Sequence, residues 1–437
     1  MNIVQITPGA GKMFCGNCFR DNALVSALRA QGHEVTMVPL YLPLTLDEDD
    51  QSTGTPIFYN GVNVYLGQGS SLYRRAPGWM RRMIGSERVL KWAATRAGKT
   101  RAEDVGDLTI SMLRGEEGNQ ARELSELLGW LKTQPRPDMV CLSNSLLLGL
   151  ARELRAGLDT PIACLLQNEA PYIDSMPDGL RDEVWAIMAE RAKDVDHFIA
   201  PSRFYADKMI GRLHLPTNKM SVIHNGINLD GFEPAKHPPD SPTLGFFSRM
   251  CRDKGLDAVV DAFIALKKTN RIPNLKLRIG GGCGPGDEPF VAELRAKLHA
   301  KALLGDVDFH PNVTREEKQT FLRSITALTV PAQFGESFGF YVIEAMAAGV
   351  PVVQPRCASF PELIDATGGG ITYEPTDRET LAATLEKFLH DPARARDLGQ
   401  AGRAAVREQF SIDTMARNVA KLFAELAPAK TSVQTDA

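Results

Sequence analysis

The sequence lacks the features that define several common classes of protein. It has no apolar run of about 18 or more residues, the length that a membrane-spanning helix needs. Seven cysteines in 437 residues are few and odd in number, so we expect a reducing compartment rather than a disulfide framework. The net charge of −3 gives no basic excess, and a nucleic-acid partner is not expected. A cytoplasmic protein fits these absences, and residues 1–9 read as a first strand rather than a signal peptide.

What is present is an alternation of short apolar runs and amphipathic segments, which is typical of parallel α/β proteins. We predict two Rossmann-like domains, at residues 1–205 and 206–410, with a basic helical insertion at about 70–130 in the first. A helix at 411–428 is expected to pack back on the first domain, followed by a disordered tail at 429–437. The predicted strands are Ile3–Thr7, Glu34–Pro39, Met139–Ser143, Pro161–Leu166, His197–Ala200, Thr243–Phe247, Lys276–Ile279, Val307–His310, Ala327–Val330 and Val350–Gln354.

The segment from Phe334 to Val353 carries the clearest chemical signal. Glu336 lies in a turn of small residues, and Glu344, eight positions later, lies in the helix predicted to follow. The N–H groups at a helix start favour phosphate, and carboxylates can accept paired hydrogen bonds from vicinal hydroxyls. The segment therefore indicates a site for an anion that also carries hydroxyl groups.

This segment resembles the E-x7-E motif of the family 4 glycosyltransferases. Other segments resemble the family in the same order along the chain. Val222–Ile227 is similar to the family's x-P-N-G-V-D turn, and Phe246–Leu256 is similar to its G-R-x-x-x-x-K-G segment. The resemblance implies a GT-B fold, in which two Rossmann-like domains face each other across a cleft. It also implies transfer of a sugar from a nucleoside-diphosphate sugar to an acceptor hydroxyl, with retention of configuration and without a metal or another cofactor.

The resemblance assigns roles to individual residues. Arg249 and Lys254 would grip the donor diphosphate, Glu336 would bind the transferred sugar, and these three would be the catalytic residues. Glu344 would bind the ribose hydroxyls. The remaining donor-binding candidates are Gly16 at the first helix, Gly282 in a glycine-rich turn, and Ser337, Phe338 and Gly339 beside Glu336. Uridine or guanosine diphosphate carrying a hexose or N-acetylhexosamine is the expected donor, and the acceptor is open.

Two departures from the family pattern concern the first domain. Family members usually carry histidines where this chain has Ser143 and Asn144, and where it has Gln167-Asn-Glu. Asn144, Gln167, Asn168 and Glu169 become candidate sugar or acceptor contacts.

The chain also has two D-x-D sequences, Asp194–Asp196 and Asp306–Asp308. Both precede predicted strands rather than follow them, so we interpret them as structural and expect no catalytic metal.

Three alternatives stay open. The histidine departures favour a catalytically weak protein that binds a nucleotide sugar or a glycan. Cys15 and Cys18, spaced as C-x-x-C beside a helix start, could be redox-active or bind a metal, although we favour the interpretation that they are two small residues packing a tight turn beside the donor phosphates. Residues 73–101 combine basic and aromatic side chains, so they could contact an anionic membrane or a phosphorylated acceptor, or form a solvated helix packed on the domain.

Overall fold

The structure is a computed structural model that describes residues 1–9, 16–44, 46–59, 102–376 and 378–427. Within these residues the chain forms two six-stranded sheets, and all the strand pairs in them are parallel. The predicted α/β class with two Rossmann-like halves is confirmed. The basic segment 73–101, Cys15 and the tail at 429–437 lie outside the described residues.

The first sheet has the strand order β2-β1-β3-β4-β5-β6. Its strands are β1 (Asn2–Thr7), β2 (Glu34–Pro39), β3 (Met139–Leu142), β4 (Ile162–Leu165), β5 (His197–Ala200) and β6 (Met220–Val222). The described helices of this part of the chain are α1 (Gly16–Ala30), α2 (Ala102–Leu113), α3 (Ala121–Leu131), α4 (Ala151–Leu158), α5 (Glu169–Asp174), α6 (Asp178–Arg191) and α7 (Arg203–Leu213). Strands β3, β4 and β5 are buried along their whole length, as expected for the centre of a parallel sheet covered on both faces.

The second sheet has the strand order β12-β11-β10-β7-β8-β9. Its strands are β7 (Thr243–Phe247), β8 (Lys276–Gly281), β9 (Val307–Pro311), β10 (Ala327–Leu328), β11 (Val352–Pro355) and β12 (Gly370–Tyr373). The described helices that accompany it are α8 (Leu256–Thr269), α9 (Glu288–Ala300), α10 (Arg315–Arg323), α11 (Phe340–Ala347), α12 (Phe360–Thr367), α13 (Arg378–Leu389) and α14 (Pro392–Gln409). The last described helix, α15 (Ile412–Leu426), groups from Met415 onward with the part of the chain that forms the first sheet.

Helix α8 shows how the sequence pattern becomes packing. Its apolar residues recur at the spacing of one helix face, and the side chains on that face are all buried in the core of the second sheet: Leu256, Val259, Val260, Phe263 and Leu266. Asn270 ends the helix in the left-handed conformation, with φ of 51°. A short polar residue adopts that conformation more readily than a branched one.

The order of strands in each sheet reverses at one point. In the second sheet the chain runs outward from β7 through β8 to β9, and then returns to the other side of β7 with β10. Ligands of open parallel sheets bind beyond the carboxyl ends of the strands at such a reversal. The residues that directly follow β7 and β10 are therefore the first place to examine for a site.

The chain divides into two compact units. Unit 1 comprises Met1–Pro201, Ala206–Ile223 and Met415–Ala437, and unit 2 comprises Ser202–Tyr205 and His224–Thr414. Residues 206–223, which the sequence analysis placed in the second domain, belong to unit 1 because β6 pairs with β5. Among the described residues, none of the helices has the length and apolar character that crossing a membrane requires.

Candidate functional site

Arg249 and Lys254 follow β7 in a short loop of unit 2. A one-turn 3-10 helix, Arg252–Lys254, carries the lysine and ends at Gly255, whose φ is 74°. A side chain at Gly255 would collide with the carbonyl oxygen of Pro331, in the loop that follows β10. Glycine is needed here because the loops after β7 and β10 approach each other closely.

Lys254 meets the loop after β10 through an ion pair with Glu336. Its Nζ donates a hydrogen bond to Oε1 of Glu336, and the two side chains are 25% and 9% exposed. The hydroxyl of Tyr341, on α11, donates to the same oxygen at 3.3 Å. Burial, reinforced by the negative charge of Glu336, raises the pKa of Tyr341 well above its usual value, so the hydroxyl remains a donor.

Glu344 has a lysine partner of its own. It lies on the second turn of α11, and Lys318 of α10 donates from Nζ to its Oε1 at 2.7 Å. The two side chains are 17% and 15% exposed, and Nζ of Lys318 lies 5.9 Å from the centre of the Phe232 ring. Each predicted acidic ligand of the donor is thus held by an ammonium group from another loop or helix of unit 2.

Arg249 is open to solvent, with 65% of its side chain exposed. Its Nε lies 3.1 and 3.0 Å from the two carboxylate oxygens of Asp287, and its Nη2 lies 3.0 Å from Oδ1. Hydrogen bonding to Asp287 raises the pKa of Arg249 above its usual value, so the guanidinium is charged at any physiological pH.

The loop between Glu336 and α11 is fixed through its backbone. The carbonyl oxygen of Ser337 accepts a hydrogen bond from Oγ of Ser202 at 2.6 Å, and that of Phe338 accepts one from Oγ of Ser359 at 2.9 Å. The Phe338 side chain is buried, at 1% exposure. Gly339 precedes α11 with φ of 94°, and the first N–H groups of a helix have no acceptor within it. The loop therefore presents main-chain donors beside Glu336.

Two predicted glycine positions have room around them. A β-carbon added to Gly282, after β8, or to Gly16, at the start of α1, would meet no other atom within 4 Å. Their neighbour Gly281 is different, because its φ is 122° and a side chain there would collide with the carbonyl oxygen of Ser248. The glycine-rich turn thus lies directly against the loop that carries Arg249.

In unit 1, several candidate acceptor contacts are hydrogen-bonded within the protein. Oδ1 of Asn144 accepts from the N–H of Leu146 at 3.0 Å. Glu169, 4% exposed, accepts from the N–H groups of Ser145 and Gln167, each at 2.9 Å. With its carboxamide oxygen turned towards Arg20, Gln167 accepts from the Nε of that arginine at 3.2 Å. Asn168 precedes α5 and is partly exposed.

A buried cluster around Arg20 explains where those residues lie. Arg20 and Asp21 of α1 form an ion pair at 2.7 Å with both side chains fully buried, and Arg20 donates to the carbonyl oxygen of Ser143 at 2.7 Å. Ser143 follows β3 and Gln167 follows β4, so the cluster lies at the carboxyl ends of two central strands. The sequence analysis did not identify Arg20 or Asp21.

The carboxylates of the two D-x-D sequences pair with basic side chains. Asp194 and Asp196 precede β5 and lie 3.1 and 2.9 Å from Arg152 and Arg155, respectively. At the start of β9, Asp306 bridges Lys267 and Lys276 at 2.8 and 2.6 Å. Among the described residues, no cluster of three or more histidine, cysteine or carboxylate side chains could hold a metal ion. The expectation that catalysis needs no metal stays a prediction.

The cysteines near the site have pKa values above the usual one. Burial is the largest influence on the thiols of Cys251, Cys283 and Cys357, and it raises the pKa of each above its usual value. Cys357 also lies beside the negative charge of Glu336, which acts in the same direction. Cys18 is buried, at 1% exposure. The redox alternative depends on Cys15, outside the described residues, and it stays untested.

Comparison with known families agrees with this geometry. The family described as "Glycosyl transferases group 1" matches residues 230–405, and "Glycosyltransferase Family 4" matches residues 89–230. The chain belongs to these glycosyltransferase families. A D-inositol 3-phosphate glycosyltransferase of Streptomyces avermitilis is 30% identical to it over 243 residues, which cover 52% of this chain and 51% of the relative. The chain thus spans about half the length of the curated relatives that it matches.

Two solved structures share the fold along almost the whole chain. The sucrose-phosphate synthase of Thermosynechococcus elongatus superimposes with a TM-score of 0.71 at 20% identity, covering 97% of this chain and 98% of that one. The Anabaena protein HepE in complex with UDP gives a TM-score of 0.69 at 14% identity, covering 98% and 100%. These likenesses show the fold, and the GT-B class predicted for this glycosyltransferase is confirmed.

The structure adds site residues that the sequence analysis missed. Asp287 pairs with Arg249, and Lys318 pairs with Glu344. Asp287 could have been suspected because it precedes Glu288 and Pro289, a pattern common at helix starts. No spacing pattern connects Lys318 with Glu344, because α10 and α11 meet only through the folding of the sheet.

Proposed function

We propose that this glycosyltransferase moves a sugar from a nucleoside-diphosphate sugar to an acceptor hydroxyl, with retention of configuration and without a metal ion. The observation that supports this most is the pairing of Lys254 with Glu336 beside the exposed Arg249. In our proposal the two cations stabilise the departing diphosphate, and the carboxylate binds the hydroxyls of the sugar. The arrangement lies at the strand reversal of a Rossmann-like sheet, where nucleotides bind in this class of fold.

The cations address the main barrier to the reaction. A nucleoside diphosphate leaves with growing negative charge, and fixed positive groups stabilise that charge without reorganising. Arg249 is exposed and Lys254 is one-quarter exposed, so both can reach an oxyanion. When a phosphate takes up the Lys254 ammonium, the Glu336 carboxylate is freed to accept hydrogen bonds from the sugar. Donor binding and exposure of the sugar ligand are thereby coupled.

Glu344 and the glycine-rich turn fit the nucleoside end of the same donor. The carboxylate of Glu344 lies on the helix that follows the sugar loop, and Lys318 fixes its position. Gly282 has open space around its α-carbon, which allows a planar base or a ribose to approach the backbone. HepE, which shares the fold, binds UDP in one structure and UDP-glucose in another. A uridine diphosphate sugar is therefore the first donor to test.

Retention follows in our proposal from substitution on one face of the sugar. The bond from the anomeric carbon to the phosphate oxygen breaks as the acceptor oxygen approaches the same face. The departing phosphate oxygen takes the proton of the acceptor hydroxyl, so no side chain has to act as a nucleophile. Arg249 and Lys254 hold the departing diphosphate close to the acceptor, and the backbone donors near Gly339 fix the sugar.

Thermal unfolding in the presence of nucleotides tests the proposal. We expect one nucleoside diphosphate and its sugars, among those of uridine, guanosine and adenosine, to stabilise the protein. A ligand at about 100 times its Kd should add roughly 2.7 kcal/mol. Replacement of Arg249 by alanine should remove most of that stabilisation. If no nucleoside diphosphate stabilises the wild type, the proposal is wrong.

A second candidate is a binding protein with weak catalysis. It is favoured by one observation: Gln167 and Glu169, which stand where the family usually has a histidine, are engaged by Arg20 and by backbone N–H groups. Hydrolysis of the donor in the absence of an acceptor separates the two functions. A transferase should release nucleoside diphosphate slowly and continuously, whereas a binding protein should release none beyond the uncatalysed rate.

A further inference from the structure

We propose that Asp287 is a positioning residue that sets Arg249 to grip the donor diphosphate. This inference rests on the proposed function, which gives Arg249 its phosphate contact. It goes further by assigning a role to a buried carboxylate that touches no substrate. Its basis is the way in which one edge of the guanidinium is taken and the other is left open.

A guanidinium presents its N–H groups along two edges that suit a carboxylate or a phosphate. Asp287 binds the edge formed by Nε and Nη2 of Arg249, with distances of 3.0 to 3.1 Å. The hydrogen bonds of this side chain to described residues all go to Asp287. The edge formed by Nη1 and Nη2 is left for a ligand, on a side chain that is 65% exposed.

Asp287 is itself held rigidly. Its side chain is only 7% exposed, and its Oδ2 also accepts a hydrogen bond from the N–H of Gly284 at 3.0 Å. The N–H of Asp287 returns a hydrogen bond to the carbonyl oxygen of Gly284 at 2.8 Å. Asp287 directly precedes α9, where the helix dipole favours a negative charge. Its carboxylate is therefore fixed and faces the arginine rather than solvent.

Asn312 anchors the loop that contains Gly284. Oδ1 of Asn312 accepts from the N–H of Cys283, and its Nδ2 donates to the carbonyl oxygen of the same residue, both at 2.9 Å. The N–H of Asn312 also donates to the carbonyl oxygen of Gly281 at 2.8 Å. Through the turn, the end of β9 is thus tied to Asp287 and from there to Arg249.

Loss of the Asp287 carboxylate should change diphosphate binding in opposite directions, depending on whether Asp287 orients Arg249 or only neutralises its charge. If Asp287 only neutralises Arg249, its removal should strengthen binding of a diphosphate. If it positions Arg249, removal should weaken diphosphate binding, because a freely rotating guanidinium must be ordered when the ligand binds. We expect the second outcome, since Nε donates to both carboxylate oxygens and Nη2 lies 3.0 Å from Oδ1, which restricts rotation of the guanidinium.

The test compares Asp287→Asn with the wild type by calorimetric titration of UDP and of uridine. The asparagine keeps the shape and can still accept from Gly284, but it loses the charge-assisted pair. We expect the Kd for UDP to rise roughly 10- to 100-fold, by analogy with partners that orient metal ligands. The Kd for uridine should not change, whereas a general loss of structure would weaken the binding of uridine as well. Asp306→Asn, which removes a carboxylate paired with two lysines at the other end of the sheet, is the matched control.

A double variant makes the test specific. In the Arg249→Ala background, Asp287→Asn should have no further effect on UDP affinity, because its role depends on the arginine. UDP affinity that is unchanged or stronger in Asp287→Asn would overturn this inference and leave the proposed function intact. If UDP, GDP and ADP all fail to bind the wild type, the proposed function is overturned and this inference with it.

Discussion

The ammonium of Lys254 and the carboxylate of Glu336, 82 residues apart in sequence, form an ion pair between the loops that follow β7 and β10. The Glu336 side chain is only 9% exposed, and the hydroxyl of Tyr341 donates a hydrogen bond to the carboxylate oxygen that accepts from Lys254. Both side chains are therefore ordered before a substrate arrives. A nucleoside-diphosphate sugar offers a phosphate to Lys254 and hydroxyl groups to Glu336. Each side chain therefore gains a new partner when the donor separates the ion pair.

Removing either cation should reduce the rate of sugar transfer. For Arg249→Ala and Lys254→Ala we expect a loss on the order of 10²–10³ in kcat, the effect typical of losing one preorganised donor. Steady-state kinetics with the preferred donor measure it. Arg271→Ala is the control, because Arg271 is an exposed arginine paired with Glu386 outside the site. An equal loss in the control variant would show that the effect is not specific.

The two acidic residues should affect different parts of the donor. Glu344→Gln should weaken binding of the nucleoside diphosphate itself, since the ribose loses a charged acceptor, with a cost of about 1.5–3 kcal/mol. Glu336→Gln should lower kcat for the sugar donor but should not weaken nucleoside diphosphate binding, because it removes the carboxylate that competes with the diphosphate for Lys254. Titration with the nucleoside diphosphate and its sugar separates these effects. Identical binding profiles for the two variants would contradict the assignment.

Most of the fold could be predicted from the sequence. Strands Glu34–Pro39, His197–Ala200 and Thr243–Phe247 have the predicted bounds, because buried runs flanked by turn residues mark their own ends. Strand β10 ends at Leu328, before the predicted Val330, because the N–H of Val330 donates to the Gln354 side chain at 3.3 Å. Strands β6 and β12 were missed since they are short and only partly buried.

Replacement of Ala358 by glycine should stabilise the protein against unfolding. It lies beside Gly335 and adopts a left-handed conformation, with φ of 51°, which costs a residue with a β-carbon about 1–2 kcal/mol. Ala358→Gly should relieve this strain, although the more flexible unfolded chain offsets part of the gain. We expect a net stabilisation of about 0.5–1 kcal/mol, measured by urea unfolding. A destabilised variant would mean that the methyl group contributes more by packing than it costs in strain.

Glu362 should make stability depend on pH. Its carboxylate accepts from Nε2 of His224 at 3.0 Å and from the N–H groups of Arg203 and Phe204 at the start of α7. Burial acts to raise its pKa, but these hydrogen bonds outweigh it and leave the pKa below the usual value. A lowered folded pKa stabilises the protein above the unfolded pKa, and this contribution is lost as the pH falls through the folded value.

Replacement of Glu362 by glutamine tests that dependence. The variant should be about 1–2 kcal/mol less stable than the wild type at neutral pH. The difference should shrink as the pH falls below the usual range of a carboxyl group. Glu374→Gln is the control, because Glu374 forms an exposed pair with Arg356 and should have little effect at any pH. A difference that is constant with pH would exclude the ionised carboxylate as its source.

The site was only partly predictable from sequence. The resemblance identified Arg249, Lys254, Glu336 and Glu344, and the structure shows that each is paired within unit 2. Their partners Asp287 and Lys318 could not be found by spacing, since they come from other loops and helices. The carboxamide of Gln167 likewise gives no sign in the sequence that Arg20 engages it.

The configuration of the sugar first released from the donor tests the central proposal most directly. In the absence of an acceptor, proton NMR can follow hydrolysis of an α-linked nucleoside-diphosphate sugar before the product anomers equilibrate. We expect the α anomer to appear first, at a rate unaffected by a metal chelator and reduced by Arg249→Ala. Initial release of the β anomer, or a rate that depends on added metal and not on Arg249, would contradict the proposed function.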